Sequence, residues 1–560
     1  MLVTFPVVTQ PTRRLVGSPD LDVWNHAWGP WWWWDSLSQG QLPWQTSLLK
    51  WPSGGVLWFI DPILAALGAP LVPLLGPWAA YNIVVVGYLA FGSWAVARFA
   101  RSLGAVGAAP LLASVAFIAS AYVSSELHNG ISEAFDVGWV ALALAFTEDA
   151  ARRRGSWAKA GLGVGMAAVA SPYLGLAAGI AALVRGLPDL RRAWVGALVA
   201  VVVAAPPALL LRAQLRDPSA IVQHPDSMNA ELALHNAVDP RTFVAPFGFQ
   251  SVDLSAEGFL HSGYLGILAL ALAVVGVARL AREAGPRWRA PALLWPLAAL
   301  TCAAFALGPY LYWDGGLVVA GGGALRLPWW GVQALAPGLA VTHPLRLAVP
   351  VLAIVAALAA VGASRAPRWA VALLAVGLLA DGLGLSGAPW PAPLADPTPP
   401  PALVSIARPD GEPVRHALLD LPTDAGATMA TSRYLAWQAV HRRPIPYGPD
   451  ARASTNALLN ESAFRPLARL SRRRADEGGR LGLDSQQQAP HAFALADLGV
   501  RWIALHHDLD PEAAARIEVA LTAELGPGVR AGETVLWDLG AERAGDGPRR
   551  PLTPPRDRPR

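Results

Sequence analysis

Lysine is nearly absent from this 560-residue chain: only Lys50 and Lys159 carry ammonium groups, and arginine supplies the rest of the basic charge. Cysteine occurs once, as Cys302 in an apolar run, which excludes an intrachain disulfide framework and a multi-cysteine metal site. Charged residues are only 15% of the sequence against 54% hydrophobic ones, too few for a soluble globular protein. The arginine preference, with abundant alanine, glycine and proline, follows from a GC-rich genome and carries no functional meaning. The net charge of +4 is spread over many loops, and no basic patch has interleaved aromatics, so no nucleic-acid partner is expected. No glycine-rich phosphate loop, G-x-S-x-G elbow or HExxH helix is present, which argues against cytoplasmic nucleotide chemistry. A cleavable signal peptide is missing too; residues 1–8 read as the outer end of a helix whose beginning lies upstream.

What the chain does have is apolar runs of spanning length, roughly 17 to 25 residues. They cover 76–97, 103–125, 193–211, 262–278, 290–308 and 345–363, with shorter or interrupted runs at 134–149, 160–184 and 367–385. Arginines orient them, because cytoplasmic loops collect basic residues. Arg98 with Arg101, Arg152 to Arg154, Arg185 with Arg191 and Arg192, Arg279 to Arg289, and Arg365 with Arg368 make five short basic loops. All five share one side only if 160–184 crosses twice, broken at Ser171-Pro172-Tyr173; proline restricts its predecessor away from helix. One continuous helix there is the alternative. The expected fold class is mainly α: a polytopic bundle of about 10–11 spans, then a small extracytoplasmic α/β domain. The expected divisions are 1–75, a truncated first helix plus a tryptophan-rich outer loop; 76–388, the membrane bundle; and 389–401, a proline linker. The soluble domain then takes 402–540, with strands at 414–422 and 500–506 and a helix at 511–525. A Pro/Arg-rich tail, 541–560, reads as disordered.

The outer loops hold the ionisable residues that could do chemistry. Asp20 and Asp22, followed by Asn25 and His26, open a segment with tryptophan at 24, 28, 31–34, 44, 51 and 58. Tryptophan favours the headgroup level, so this segment is expected to lie along the bilayer. Two carboxylates there could act as base and electrostatic partner, or hold Mg or Mn through oxygen. A plain helix cap after Gly17-Ser18-Pro19 is the competing reading. Glu126, His128 and Glu133, with Asp136, crowd a second outer loop, where such groups face a polar cavity or merely wet the interface. His343 and Arg346 open a late span; a guanidinium there can fork onto a phosphate or simply snorkel. Arg433, Tyr434 and His441 in the soluble domain could cover the same site or form a basic surface turn. Glu148 and Asp149 read as an ordinary cytoplasmic helix end.

In the order of its motifs the chain resembles the GT-C superfamily of polytopic bacterial membrane glycosyltransferases. The likeness runs through Gly17-Ser-Pro-Asp-Leu-Asp-Val-Trp-Asn-His26, Gly40-Gln-Leu-Pro43, Pro52-Ser-Gly-Gly55, Tyr81-Asn82, Ser171-Pro-Tyr173, Gly263-Tyr-Leu-Gly266 and Pro344-Leu-Arg346. It continues through Arg433-Tyr434 with Gln438, His441-Arg-Arg-Pro-Ile445 and Leu498-Gly-Val-Arg-Trp-Ile503. The resemblance implies an inverting enzyme that moves a sugar from a polyprenyl-phosphate donor to a glycan, lipid or protein acceptor. It implies the bacterial inner membrane, with the soluble domain outside. It maps the family's essential first-loop acid onto Asp20 or Asp22; the departing lipid phosphate then needs a cation, for which Arg346 or His343 are available, and His26, Glu126, His128 and Glu133 are the candidates for support. The incomplete first helix departs from the family. A degenerate non-catalytic relative would share much of this pattern, whereas a transporter of lipid-linked precursors would show internal repeats and mid-membrane charges, and neither is clear in the sequence.

Overall fold

The computed structural model describes residues 4–59, 61–222, 226–247, 258–284, 291–335, 341–409, 411–423, 432–449, 464–472 and 492–540, so the expected tail lies outside the described residues. The chain opens with a short turn of helix and a loop that leads into α1 (Val23–Ser38), followed by α2 (Pro62–Gly68) and the long α3 (Pro77–Leu103). The apolar run at 103–125 is not one helix: it divides into α4 (Pro110–Ile118) and α5 (Ala121–Asn129). Ser120 is the reason, since its extended backbone leaves the helix while its hydroxyl caps Val123 N–H. A single turn, α6 (Ser132–Phe135), and then α7 (Gly138–Ala151) follow.

The run at 160–184 is two helices, α8 (Trp157–Ala170) and α9 (Pro172–Gly186), with Ser171 extended between them. They fold back antiparallel: Gly175 lies against Ala168, and Gly186 against Trp157. This is the hairpin that the arginine distribution asks for. Next come α10 (Leu190–Arg216), α11 (Ile267–Ala284), α12 (Pro291–Ala306), α13 (Val349–Gly362) and α14 (Arg368–Gly384). Small residues bring the backbones together; a methyl on Gly276 of α11 would stand 2.0 Å from Leu358 O of α13. Helix α13 is apolar on every side and buried from Val349 to Val361, the mark of a helix at a bundle centre. Helix α10 shows the opposite pattern, turning Trp194, Leu198, Val201, Val202 and Leu209 outward, as a lipid-facing helix does. Among the described residues, the stretches Pro77–Leu103, Pro110–Asn129, Pro172–Arg216 and Pro344–Gly362 are long and apolar enough to cross a membrane. The chain is a multi-pass membrane protein with a small sheet domain after the bundle.

That domain carries α15 (Ser432–His441), α16 (Pro511–Leu525) and four strands: β1 (Ala417–Leu421), β2 (Val500–His506), β3 (Val529–Ala531) and β4 (Thr534–Asp538), ordered β3-β4-β2-β1. β1 and β2 are parallel, and β4 runs antiparallel to β2. The proline linker does not hang free, because Leu394 and Ala395 pair with Val16 and Leu15 of the first loop. The tryptophans of α1 differ from expectation. Trp24, Trp28, Trp31 and Trp32 are buried inside the protein, and only Trp34 of the run is exposed. Helix α1 packs on α15 of the soluble domain, where Trp28 Nε1 donates to Gln438 Oε1 at 3.1 Å. Gln438 in turn donates to Leu48 O at 2.8 Å, and Trp51 Nε1 to Leu498 O at 2.9 Å. An indole can bury its ring and still satisfy its one N–H, which suits it to a polar-laced interface between two domains.

Candidate active site

Asp22 stands at the N-cap position just before helix α1, and four residues further on, on the same side, stands His26. His26 is fully buried and reaches two elements at once. Its Nδ1 lies 2.9 Å from Ser132 Oγ on α6, and its Nε2 lies 3.4 Å from Glu133 Oε2. Glu133 Oε1 meets Arg346 Nη1 at 2.9 Å, and both side chains are almost wholly removed from solvent. Arg346 sits in the turn Pro344–Ala348 that leads into α13, with its guanidinium 5.2 Å over the ring of Tyr173. Tyr173 follows the break between α8 and α9, and its hydroxyl lies 2.5 Å from Thr342 Oγ1. Thr342 Oγ1 is also 2.9 Å from His343 Nδ1. Thus the hairpin break at Ser171 delivers an aromatic wall to the arginine.

Behind Ser132 is Asp61, whose Oδ2 accepts from the serine hydroxyl at 2.5 Å. Its Oδ1 caps α2 by accepting Leu64 N–H at 2.9 Å and also accepts Tyr88 O–H at 3.0 Å. Burial pushes the Asp61 carboxyl up to about 7 against the pull of those hydrogen bonds. Burial also holds His26 below its ordinary value, with Glu133 opposing and Arg346 adding to the effect. Glu126, at 1% exposure, lies 3.4 Å from His261, and its second oxygen has no hydrogen-bond partner among the described residues. The buried groups thus form a connected line: Asp61, Ser132, His26, Glu133, Arg346.

The residues named from sequence fall into three groups. His26, Glu133 and Arg346 meet directly, while Glu126 acts on them from one side and His343 joins through Thr342 and Tyr173. Asp20 and Asp22 stand at the head of α1. Asp22 accepts from Asn25 Nδ2 at 3.0 Å, and the exposed Asp20 lies 3.9 Å from Arg433, which also approaches Asp508 at 3.6 Å. Arg433 therefore does reach over the first loop, stacked 5.4 Å from Trp24. The remaining residues point elsewhere. His128 faces Gly258 O at 3.3 Å, Tyr434 donates to Pro422 O inside its own domain, and His441 accepts Arg443 N–H at 3.0 Å in the core of that domain. Asp61, Ser132 and Tyr88 had no part in the reading of the sequence. Their signal was present at Asp61-Pro62, an acid before proline at the start of an apolar helix, which reads as a cap and not as chemistry. No group of three or more His, Cys, Asp or Glu side chains assembles at metal-binding geometry among the described residues.

The first loop and the helix bundle thus enclose a buried line of arginine, carboxylate and histidine. No family model matches the chain, and no curated protein does. Solved structures do. ArnT from Cupriavidus metallidurans, in the apo state, is 14% identical, with 97% of each chain covered and a TM-score of 0.50. The arabinofuranosyltransferase AftD from Mycobacteria (mutant R1389S) is 17% identical, with 98% of this chain and 42% of that one covered, and a TM-score of 0.52. This chain shares its overall fold with those two solved structures.

Proposed function

We propose that this protein is an inverting membrane glycosyltransferase that takes a sugar from a polyprenyl-phosphate-linked donor and passes it to a hydroxyl on an extracytoplasmic acceptor. One observation carries the reading: Arg346 is buried against Glu133 and His26, at the junction of the first loop with the helix bundle. A buried guanidinium with fixed donors is suited to stabilise the charge that develops on a departing lipid phosphate. Tyr173 flanks it, with His343 packed edge-on against the tyrosine ring. Asp20 and Asp22, at the mouth of α1, are the carboxylates we assign to the incoming hydroxyl, whose proton passes to the histidine side of the site. Single displacement at the anomeric carbon gives inversion. The protein so read belongs in a bacterial inner membrane with its sheet domain outside, where Arg433 covers the acceptor side through Asp20.

The test uses full-length protein in liposomes with a panel of undecaprenyl-phosphate-linked sugars, measuring undecaprenyl phosphate released. Wild type should release it from at least one donor. The variants Asp22→Asn and Asp20→Asn, inserted normally, should lower the rate; full rates in both would remove the carboxylates from the mechanism.

A further inference from the structure

His26 Nδ1 lies 2.9 Å from Ser132 Oγ, while its Nε2 lies 3.4 Å from Glu133 Oε2 without a hydrogen bond to it, so the protonation of Nδ1 is set by Ser132. Ser132 has a single hydroxyl proton and lies between two groups, Asp61 Oδ2 at 2.5 Å and His26 Nδ1 at 2.9 Å. It can donate to only one of them. If it donates to an ionised Asp61, its oxygen accepts Nδ1–H from His26, and Nε2 carries the lone pair toward Glu133. If Asp61 holds a proton, the carboxylic acid donates to Ser132, Ser132 donates to Nδ1, and the histidine proton must sit on Nε2. The two arrangements need no movement of heavy atoms.

We propose that Asp61, Ser132 and His26 form a proton relay, in which the ionisation of Asp61 selects which nitrogen of His26 is protonated. Asp61 is thus a positioning residue that sets the state of a histidine it does not touch. Its catalytic use rests on the transferase reading. The acceptor hydroxyl proton arrives at Nε2, Nδ1–H passes to Ser132 Oγ, and the serine proton passes to Asp61. Meanwhile the acceptor oxygen bonds to the anomeric carbon, and the bonding pair of the sugar–phosphate bond leaves with the polyprenyl phosphate. Every proton is accounted for, and Asp61 ends the step protonated.

The surroundings suit such an exchange. Facing Asp61 are Tyr81 and Tyr88 from α3, Glu133 from α6 and Asp136 just beyond it. Facing His26 are Glu133, Glu126 and Arg346. Burial brings the Asp61 carboxyl to about 7, so its two forms are both accessible near neutral pH.

Asp61→Asn tests this without disturbing the cap. Leu64 N–H and Tyr88 O–H both bond Oδ1, so the asparagine oxygen keeps that place and its NH2 faces Ser132. An amide there can only donate, which turns the serine proton toward Nδ1 and fixes His26 as the Nε2–H tautomer. The measurement is 15N solid-state NMR of histidine-labelled full-length protein in lipid, with His26 assigned by its loss in His26→Gln. In wild type, His26 should change from the Nε2–H to the Nδ1–H form as pH rises through about 7. In Asp61→Asn it should remain Nε2–H at every pH, and in Ser132→Ala it should no longer follow Asp61. Identical tautomers in wild type and Asp61→Asn across that range would overturn the relay. Transfer kinetics supply the second arm: with a working donor, Asp61→Asn should lower kcat at unchanged donor KM and abolish the rise of kcat with pH. If the tautomer switches but no polyprenyl-phosphate sugar is ever used, the relay stands and the transferase reading fails. If transfer proceeds and the tautomer does not respond, the reverse holds.

Discussion

Replacing Arg346 with methionine removes the cation between two carboxylates that have almost no access to water. Glu133, 2.9 Å away, and Glu126 are each 1% exposed, so neither can be rescued by solvent. Breaking a buried pair by deleting one partner typically costs about 3–5 kcal/mol, because the remaining charge is stranded. At 1.4 kcal/mol per tenfold, that lowers the folded-to-unfolded ratio by about two to three and a half powers of ten. Arg346→Lys keeps a charge but loses the planar fork and its stacking over Tyr173, 5.2 Å away. It should recover much of the stability and little of the transfer activity. The double variant Arg346→Met/Glu133→Gln should be more stable than Arg346→Met alone, since it removes the nearer of the two stranded charges. The assay is equilibrium unfolding in mixed micelles followed by tryptophan fluorescence, with insertion checked separately. A loss below about 1 kcal/mol for Arg346→Met would refute the reasoning, because it would mean the pair is solvated and not the buried site described above.

Three further outcomes follow from other parts of the molecule. At the far end of the bundle, Glu148 is wholly buried and accepts from Arg185 at 2.6 Å, from Trp295 at 3.0 Å and from Arg152. Glu148→Ala should destabilise by about 3–5 kcal/mol in the same unfolding assay, while Arg101→Ala, on an exposed helix end, should stay within about 0.5 kcal/mol. His441 is held down to about 3 by burial and by Arg443, so it is neutral when folded. Unfolded, it binds a proton below its ordinary value near 6.5, so stability is lost as pH falls below that point. By pH 4.5 the loss should reach about 2–3 kcal/mol, and His441→Asn should remove that part of the acid sensitivity. Gln438→Ala strands Trp28 Nε1–H and Leu48 O at the face between α1 and α15. Limited proteolysis of the soluble domain should quicken, reflecting a loss of about 1–3 kcal/mol.

Much of the fold was legible in the sequence because membrane helices announce themselves by length and apolar content. Strand 500–506 and helix 511–525 match β2 and α16 to the residue, since Val, Trp, Ile and Leu concentrate in one and Asp510-Pro511 caps the other. The hairpin at Ser171 could be inferred from charge bias alone. The break at Ser120 could not, because a capping serine inside an apolar run looks like any other small residue. Tryptophan misled for a related reason. Its preference for interfaces is shared by the bilayer and by the face between two domains, and only the partner Gln438, 410 positions away, decides between them. The site was half legible. Charged groups in the loops between apolar runs are conspicuous, so His26, Glu133 and Arg346 could be named. Asp61 and Ser132 acquire meaning only when folding brings residues 61 and 132 within hydrogen-bond reach.

The central claim is transfer from a lipid phosphate seated at Arg346, and stoichiometry tests it most directly. Full-length protein in liposomes, given undecaprenyl-phosphate-linked sugars and a candidate acceptor, should release one undecaprenyl phosphate for each sugar transferred, with the anomeric configuration inverted. Arg346→Lys should insert normally and transfer nothing measurable. Retention of the anomeric configuration, or full transfer by Arg346→Lys, would contradict the account.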